Sequence, residues 1–348
     1  MKVLNLEGEQ RRRTYEVGMV CSPLWECALG IAAVTYPRIH PTLEKPESYW
    51  QELRKTLSKP LNEELDFVER HNTWKTLLQL LHEKFFASLE DFLTYIQTID
   101  GVSLRSASLP YLGDSLQNER RKAASGDKGA VKILVQASLG HSFYPDYIPF
   151  ICEVSIEKLR VHLIKVMKGW FEQQIAPSQQ RITEVLERDW QAKLEMKEKL
   201  EPEAFVEWAT GGVVYPPEPG VWKVLLVPQM IYRPWNITAE LEGTKIYYYP
   251  VADESLEVEQ DPYRPGLAMV QRYKALGDEV RLRIVKLLFE KKRSLQELTA
   301  QLDLAKSTVH HHLALLRSSG LVVTEKSHYV LRESLLFAVD AELRDFLK

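Results

Sequence analysis

Cysteine is scarce in this chain of 348 residues: Cys21, Cys27 and Cys152 are too few and too irregularly spaced for a disulfide framework or a metal motif. They fit a reducing compartment, with thiols packed as small hydrophobes. Long apolar runs are also missing. None approaches the roughly 18 residues that a membrane span needs, and residues 1–13 lack the apolar core of a signal peptide. The expectation is a cytoplasmic protein that does not engage the membrane. Catalytic signatures fail one by one. Ser125–Lys128 and Ser155–Lys158 match Ser-x-x-Lys without the companion motifs of that chemistry. Residues 125–129 lack the spacing of a phosphate loop, and His82-Glu83 lacks the second histidine of a zinc-protease helix. No enzyme, cofactor or metal is indicated.

Net charge is small too, at −3. The near-balance hides an asymmetry: from Tyr263 onward 15 Lys and Arg face 10 Asp and Glu, whereas 30 face 38 before it. Only the C-terminal part has the charge balance of a nucleic-acid binder, because cations near phosphates supply the sequence-independent, salt-dependent share of binding. With 45% hydrophobic residues, the chain has material for two or three domains with their own cores.

What the chain does have is three consecutive histidines, His310, His311 and His312, inside residues 305–322. At about 100° per residue, Val309, Leu313 and Leu316 fall within about 60° of one another and form one apolar stripe. Ser307, His311 and Ala314 lie opposite, with His310 and Thr308 on the flanks and His312 leaning back toward the stripe. Such a short, polar, nearly uncharged face can enter a major groove. A metal site is the rival reading, but helical neighbours diverge by about 100° and cannot converge on one ion. An ordinary amphipathic core helix is the other alternative, and the flanks argue against it.

Upstream, Asp278 is placed to cap a helix whose Val280, Ile284, Leu287 and Leu288 share a face. Ser294 then caps a second helix carrying Leu295, Leu298 and Leu302. Residues 303–305 separate it from the histidine helix, giving a helix-turn-helix. Gly320 is the expected C-cap, and residues 321–324 and 328–331 read as a hairpin wing around Glu325-Lys-Ser327, with Lys326 and His328 near its tip. The expected DNA contacts are Lys306, Ser307, Thr308, His310, His311, Arg317, Lys326 and His328, with Arg293 as a further phosphate candidate.

Residues 272–333 resemble the winged helix-turn-helix of the ArsR family of bacterial transcriptional regulators. Ala275, Leu276, Gly277, Asp278 and Arg281 match its Ala-Leu-Gly-Asp-x-x-Arg opening. Ser307, His311, His312, Leu313, Leu316, Arg317, Gly320, Leu321 and Val322 match its core motif. The resemblance implies double-stranded DNA as partner, a pseudo-palindromic operator and repression. A homodimer would form through Leu267, Val270 and Tyr273 and through Leu335, Leu336, Val339, Leu343 and Phe346. The cysteine pair of the metal-sensing members has no counterpart in residues 295–302, and the terminal helix lacks the histidine of the family's other metal site.

The preceding part reads as mainly helical. A strand at residues 15–20 feeds a helix that begins at Ser22-Pro23 and ends before Pro37, and further helices are expected at about 47–57, 74–97, 156–171 and 178–200. Residues 193–201 read as a solvated helix face. Two β-rich segments, 221–227 and 244–251, are expected to pair, with the first strand as a further partner. The order of short motifs from Ser22-Pro-Leu-Trp-Glu26 to Tyr248-Tyr-Pro250 is similar to an uncharacterised N-terminal domain found fused to ArsR-type winged helices. Trp222, Tyr232, Trp235, Tyr247 and Tyr249 are the candidate lining of a pocket for an unknown small-molecule effector. The alternatives are an assembly domain, or plain strand and core aromatics.

The expected fold class is mainly α (α+β): a flexible terminus at 1–13, a helical sensor or assembly domain with a small sheet at 14–252, a linker at 253–264 and a winged helix-turn-helix at 265–348. The expected function is a DNA-binding regulator, the runner-up a protein–protein adaptor with a degenerate winged helix.

Overall fold

A computed structural model describes residues 14–256, 263, 265–325 and 328–347. The expected flexible terminus and most of the expected linker lie outside the described residues. Elements in chain order are β1 (Glu16–Met19), α1 (Pro23–Val34), α2 (Glu47–Thr56), α3 (Lys59–His71), α4 (Trp74–Leu81), α5 (Leu89–Thr98), α6 (Gly101–Ser108), α7 (Gln117–Ala124), α8 (Lys128–Ala137), α9 (Tyr144–Glu153), α10 (Ile156–Trp170), α11 (Gln179–Lys197), α12 (Pro202–Ala209), β2 (Lys223–Gln229), β3 (Ile237–Leu241) and β4 (Thr244–Pro250). They continue with α13 (Asp253–Leu256), α14 (Leu267–Leu276), α15 (Glu279–Glu290), β5 (Arg293–Ser294), α16 (Leu295–Leu302), α17 (Lys306–Ser318), β6 (Val322–Glu325), β7 (His328–Leu331) and α18 (Glu333–Phe346). The architecture is mainly α with two small sheets, the expected class. Two compact units divide it: residues up to Val206 with Val214–Val251, and Glu207–Val213 with Ala252 onward. Among the described residues, no helix is long and apolar enough to cross a membrane.

The first unit is organised around α1. Ser22 caps it, Pro23 presets its first turn, and every residue from Leu24 to Val34 is buried, as expected of a helix that is apolar on all sides. Its sheet has the order β1-β2-β4-β3, with β1, β2 and β4 parallel and β3 antiparallel to β4. β2 is buried from Val224 to Gln229, so it lacks the in–out alternation of a half-exposed strand. The expected pairing of the two β-rich segments is present, with β1 on the far side of β2.

Three features depart from the sequence reading. The expected helix 74–97 is two helices, α4 and α5. The apolar spacing of Leu77, Leu81 and Phe85 is continuous, but Phe85 is 79% exposed and Ser88 restarts the helix by accepting from the Asp91 N–H at 3.1 Å. Lys193, read as part of a solvated face, is buried and paired with Asp189 at 2.8 Å. β3 was not anticipated, although Ile237, Ala239 and Leu241 alternate with Thr238 and Glu240 just before the Glu242-Gly243 turn. That is the pattern of a hairpin, and Gly243 holds the positive φ of 67° the turn needs.

In the second unit, α15, α16 and α17 pack around Ile284, Leu288, Leu298, Leu302, Val309, Leu313, Leu316, Leu321 and Leu331. Burying each such side chain contributes about 1.5–3 kcal/mol. β5, β7 and β6 form a small antiparallel sheet, with Val323 opposite Val330 in the wing.

Candidate nucleic-acid interface

The interface is built from helix ends. Asp278 Oδ1 accepts from the Arg281 N–H at 3.0 Å and starts α15. That hydrogen bond, with the guanidinium charge of Arg281, holds the Asp278 carboxyl below the usual carboxylate range. Arg281 also reaches back across the Gly277 turn, donating to the carbonyls of Ala275 at 2.6 Å and Lys274 at 2.9 Å. The Ala-Leu-Gly-Asp-x-x-Arg run is thus a joint between α14 and α15: one helix's last carbonyls and the next helix's first amides are tied by two side chains.

Ser294 and Glu297 form a capping box on α16. Ser294 Oγ accepts from Glu297 N at 3.3 Å, and Glu297 Oε2 accepts from Ser294 N at 2.7 Å, which keeps the Glu297 carboxyl below its ordinary range. The helix then stops at Asp303, whose φ of 55° places it in the left-handed region where Asp is tolerated. Leu304 and Ala305 complete the turn into α17.

On α17 the arithmetic of the helical wheel holds. Val309, Leu313 and Leu316 are buried, whereas Lys306, Ser307, Thr308, His310, His311 and Arg317 are all exposed. His312 departs from its two neighbours. It is largely covered and its Nδ1 lies 3.6 Å from Asp278 Oδ1, facing the capping residue of α15 rather than solvent. Gly320 ends the segment with φ +77°. The result is a polar row of small hydroxyls and imidazoles, backed by an apolar stripe that fixes its orientation. Such side chains can donate to and accept from base edges and phosphates.

Residues 278–324 match the model of the bacterial regulatory protein arsR family. This segment is an ArsR-family helix-turn-helix domain. The chain is also similar to the transcriptional activator HlyU of Vibrio cholerae serotype O1, with 43% identity over 53 residues, 15% of this chain and 49% of that protein. The match therefore spans about half the length of this curated relative. No solved structure matches the chain.

Around the ArsR-family domain, the remaining expectations fall in different places. Lys326 lies outside the described residues. His328 begins β7 and is partly covered. Arg293 is not placed to meet phosphate: it is buried, donating to the Leu287 carbonyl at 2.9 Å and pairing with Glu290. Of the residues expected at a dimer surface, Val339 belongs to the core, and Leu335 and Leu336 pack against it. Tyr273 is 38% exposed while its hydroxyl donates to the Val339 carbonyl at 3.3 Å. Val270, Leu343 and Phe346 are partly covered, and Leu267 is placed by its backbone alone. The side chains of α14 and α18 thus meet within one chain, with Arg272 paired to Glu342. Phe337, 65% exposed and edge-on to the exposed Phe289 at 6.3 Å, forms with it an exposed aromatic pair that periodicity did not single out.

The five aromatics expected to line a pocket do not converge. Trp222 is 62% exposed and lays its ring against Gly243, where a Cβ would come within 1.9 Å of it. Tyr247 turns toward Tyr215, Tyr249 lies under Lys193, and Trp235 Nε1 donates to the Thr42 carbonyl at 3.1 Å. Tyr232 is buried. None of them lines either of two cavities in this unit, of about 110 and about 670 Å³. Tyr144 and Tyr248 line the smaller one; on β4 it is Tyr248 and not its neighbours Tyr247 and Tyr249, because adjacent residues of a strand point to opposite faces.

Proposed function

We propose that this protein is a sequence-specific, DNA-binding transcriptional regulator and not an enzyme. It would act as a homodimer that places one α17 in each of two successive major grooves of a pseudo-palindromic operator, about 34–36 Å apart. The observation that carries the reading is the exposed row Lys306, Ser307, Thr308, His310 and His311 on a helix anchored by Val309, Leu313 and Leu316. In this reading Ser307 and His311 meet base edges, and Lys306, Arg317, Lys326 and His328 meet phosphates. The dimer forms through the outer faces of α14 and α18, where Phe337 supplies exposed apolar area. The first unit acts as a sensor of a small molecule, and the site of action is the cytoplasm, where the chromosome lies.

Repression is the working sign of regulation, because a dimer seated on an operator blocks polymerase without further contacts; the name of the HlyU relative makes activation the alternative, and a promoter–reporter assay decides it. The direct test of the regulator reading is a gel shift on the DNA upstream of the protein's own gene, followed by selection from random sequence. Ser307→Ala and His311→Ala should relax sequence preference, whereas Lys326→Ala should weaken all sequences alike and lower the salt slope by about one. Absence of any salt-sensitive, sequence-selective complex in both experiments would sink it.

A further inference from the structure

In the first unit, one cation is buried in a way the others are not. Lys193 meets Asp189 at 2.8 Å, Arg233 meets Glu44 at 2.8 Å, and Arg160 donates to the Gln97 and Ile99 carbonyls. Lys75, on α4, is 7% exposed, and among the described residues no carboxylate or hydrogen-bond acceptor lies within bonding range of its ammonium. The face of the Tyr144 ring lies 5.9 Å from its Nζ. An ammonium with so little exposure is costly unless water or a ligand answers it. Burial, reinforced by the charge of Arg120, pushes Lys75 down to about 8, so it still carries its charge at neutral pH.

Lys75 borders the cavity of about 110 Å³ between α4, the start of α9 and the β3–β4 hairpin. Leu78, Phe143, Ile237 and Ala239 give this cavity apolar walls. Tyr248 also faces it, but its hydroxyl is already held by His82 Nε2 at 2.7 Å. His141 is stacked flat on Tyr144 at 3.4 Å, and its Nδ1 accepts from the Phe143 and Tyr144 amides. Glu240, whose charge acts on Lys75, is paired with Lys245 across the hairpin. The cavity thus offers one unanswered positive charge on a wall that is mainly apolar, with Gln79 and Thr238 as further polar lining; Gln79 donates to the Leu109 carbonyl at 3.0 Å, while its Oε1 has no partner among the described residues.

Resting on the sensor reading of this unit, we infer that the cavity binds a short-chain monocarboxylate, its carboxylate paired with Lys75 and its alkyl tail against Leu78, Phe143, Ile237 and Ala239. Size sets the chain length. A cavity of about 150 Å³ holds benzene, so this one, at about 110 Å³, takes about four to five non-hydrogen atoms, the range from acetate to propionate. The walls set the charge type. An inorganic phosphate needs several strong donors and finds one ammonium and the Thr238 hydroxyl, a cation is repelled, and a neutral amide can accept from the ammonium but leaves its charge uncompensated.

The test is calorimetric titration of the full chain with propionate, propionamide and inorganic phosphate, repeated on Lys75→Met and, as a second variant that blocks the cavity and keeps the charge, Ala239→Ile. Expected are saturable one-to-one binding of propionate, at least tenfold weaker binding of propionamide, none of phosphate, and a loss of at least thirtyfold in Lys75→Met. Ala239→Ile should weaken propionate at least tenfold. No saturable heat with acetate or propionate overturns the inference. So does propionamide or phosphate binding as tightly as propionate, or unaltered affinity in both variants. Binding is read without DNA, so a failed operator experiment leaves this result standing, and a failed titration leaves operator binding standing.

Discussion

The two units treat charge in opposite ways. The ArsR-family unit keeps a largely apolar core, and most of its ionisable groups work at helix ends, as Asp278, Arg281 and Glu297 do, or stand in solvent along α17, with Arg293, buried and paired with Glu290, the exception. The first unit brings ionisable groups inside. Glu26, accepting from the Met230 N–H at 2.9 Å, is pushed up to about 7 by burial, and His82 is pushed down to about 3 by burial. Lys75 and the Asp189–Lys193 pair are interior as well. Stability alone does not call for this, since buried charges are at best neutral against apolar packing. The difference separates a scaffold that presents chemistry outward from one that holds it within.

The sharpest break of that contrast is at Asp189–Lys193. Lys193→Met removes the buried ammonium that meets Asp189 on α11 and should destabilise the first unit, by up to about 3–5 kcal/mol. The double variant Asp189→Leu/Lys193→Met should recover most of that. Urea unfolding followed by tryptophan fluorescence reads both. Equal loss in the single and double variants would show that packing of the long side chain, including its place over the Tyr249 ring, matters more than the charge.

Lys75→Met should act in the other direction. The folded-state value of Lys75 lies below the 10.5 of the unfolded chain, so between about 8 and 10.5 the unfolded state binds more protons and stability rises with pH. Below about pH 8 the penalty is present in full, roughly 3 kcal/mol from the size of the shift. The variant should therefore raise the melting temperature at pH 7 and remove the gain that the native chain shows from pH 8 to 10.5. A lower melting temperature at pH 7 would mean that the ammonium contributes to the fold itself.

The same division decided what could be read from the sequence. In the second unit, local rules point one way: Asp278 and Ser294 cap, Gly320 terminates, and Val309, Leu313 and Leu316 repeat at helical spacing. The exposed face of α17 was therefore legible before its packing. His312 was legible as an inward residue, but its partner Asp278 lies on another helix, and periodicity says nothing of that. In the first unit the decisive contacts join distant segments. The lining of the Lys75 cavity comes from residues 74–82, 141–144 and 237–248, and aromatic content alone drew attention to Trp222 and Tyr249, which the pleat and the Gly243 turn carry elsewhere. The one local hint was a lysine inside the apolar run of α4.

On the ArsR-family side, the contrast predicts that surface changes on α17 cost recognition and not stability. Ser307→Ala and His311→Ala should each reduce discrimination between operator and altered operator by about 1–3 kcal/mol, with the melting temperature unmoved. Competition gel shifts against single-base operator variants provide the measurement. If both variants keep the native rank order of sites, the polar row is not the reading surface.

The smallest effect belongs to His312, which shares a motif with His311 but not its surroundings. At 3.6 Å from Asp278 it is in polar contact but too far for a hydrogen bond, and Asp278 already accepts from the Arg281 amide at 3.0 Å. His312→Ala should thus cost less than about 1 kcal/mol of stability and leave base preference as it was. Any weakening of DNA binding should be uniform across sequences, because it would come from a looser seat of α17 on α15. A change of preferred base in this variant alone would place His312 in the groove, and would make the triplet one reading surface instead of two contacts and an anchor.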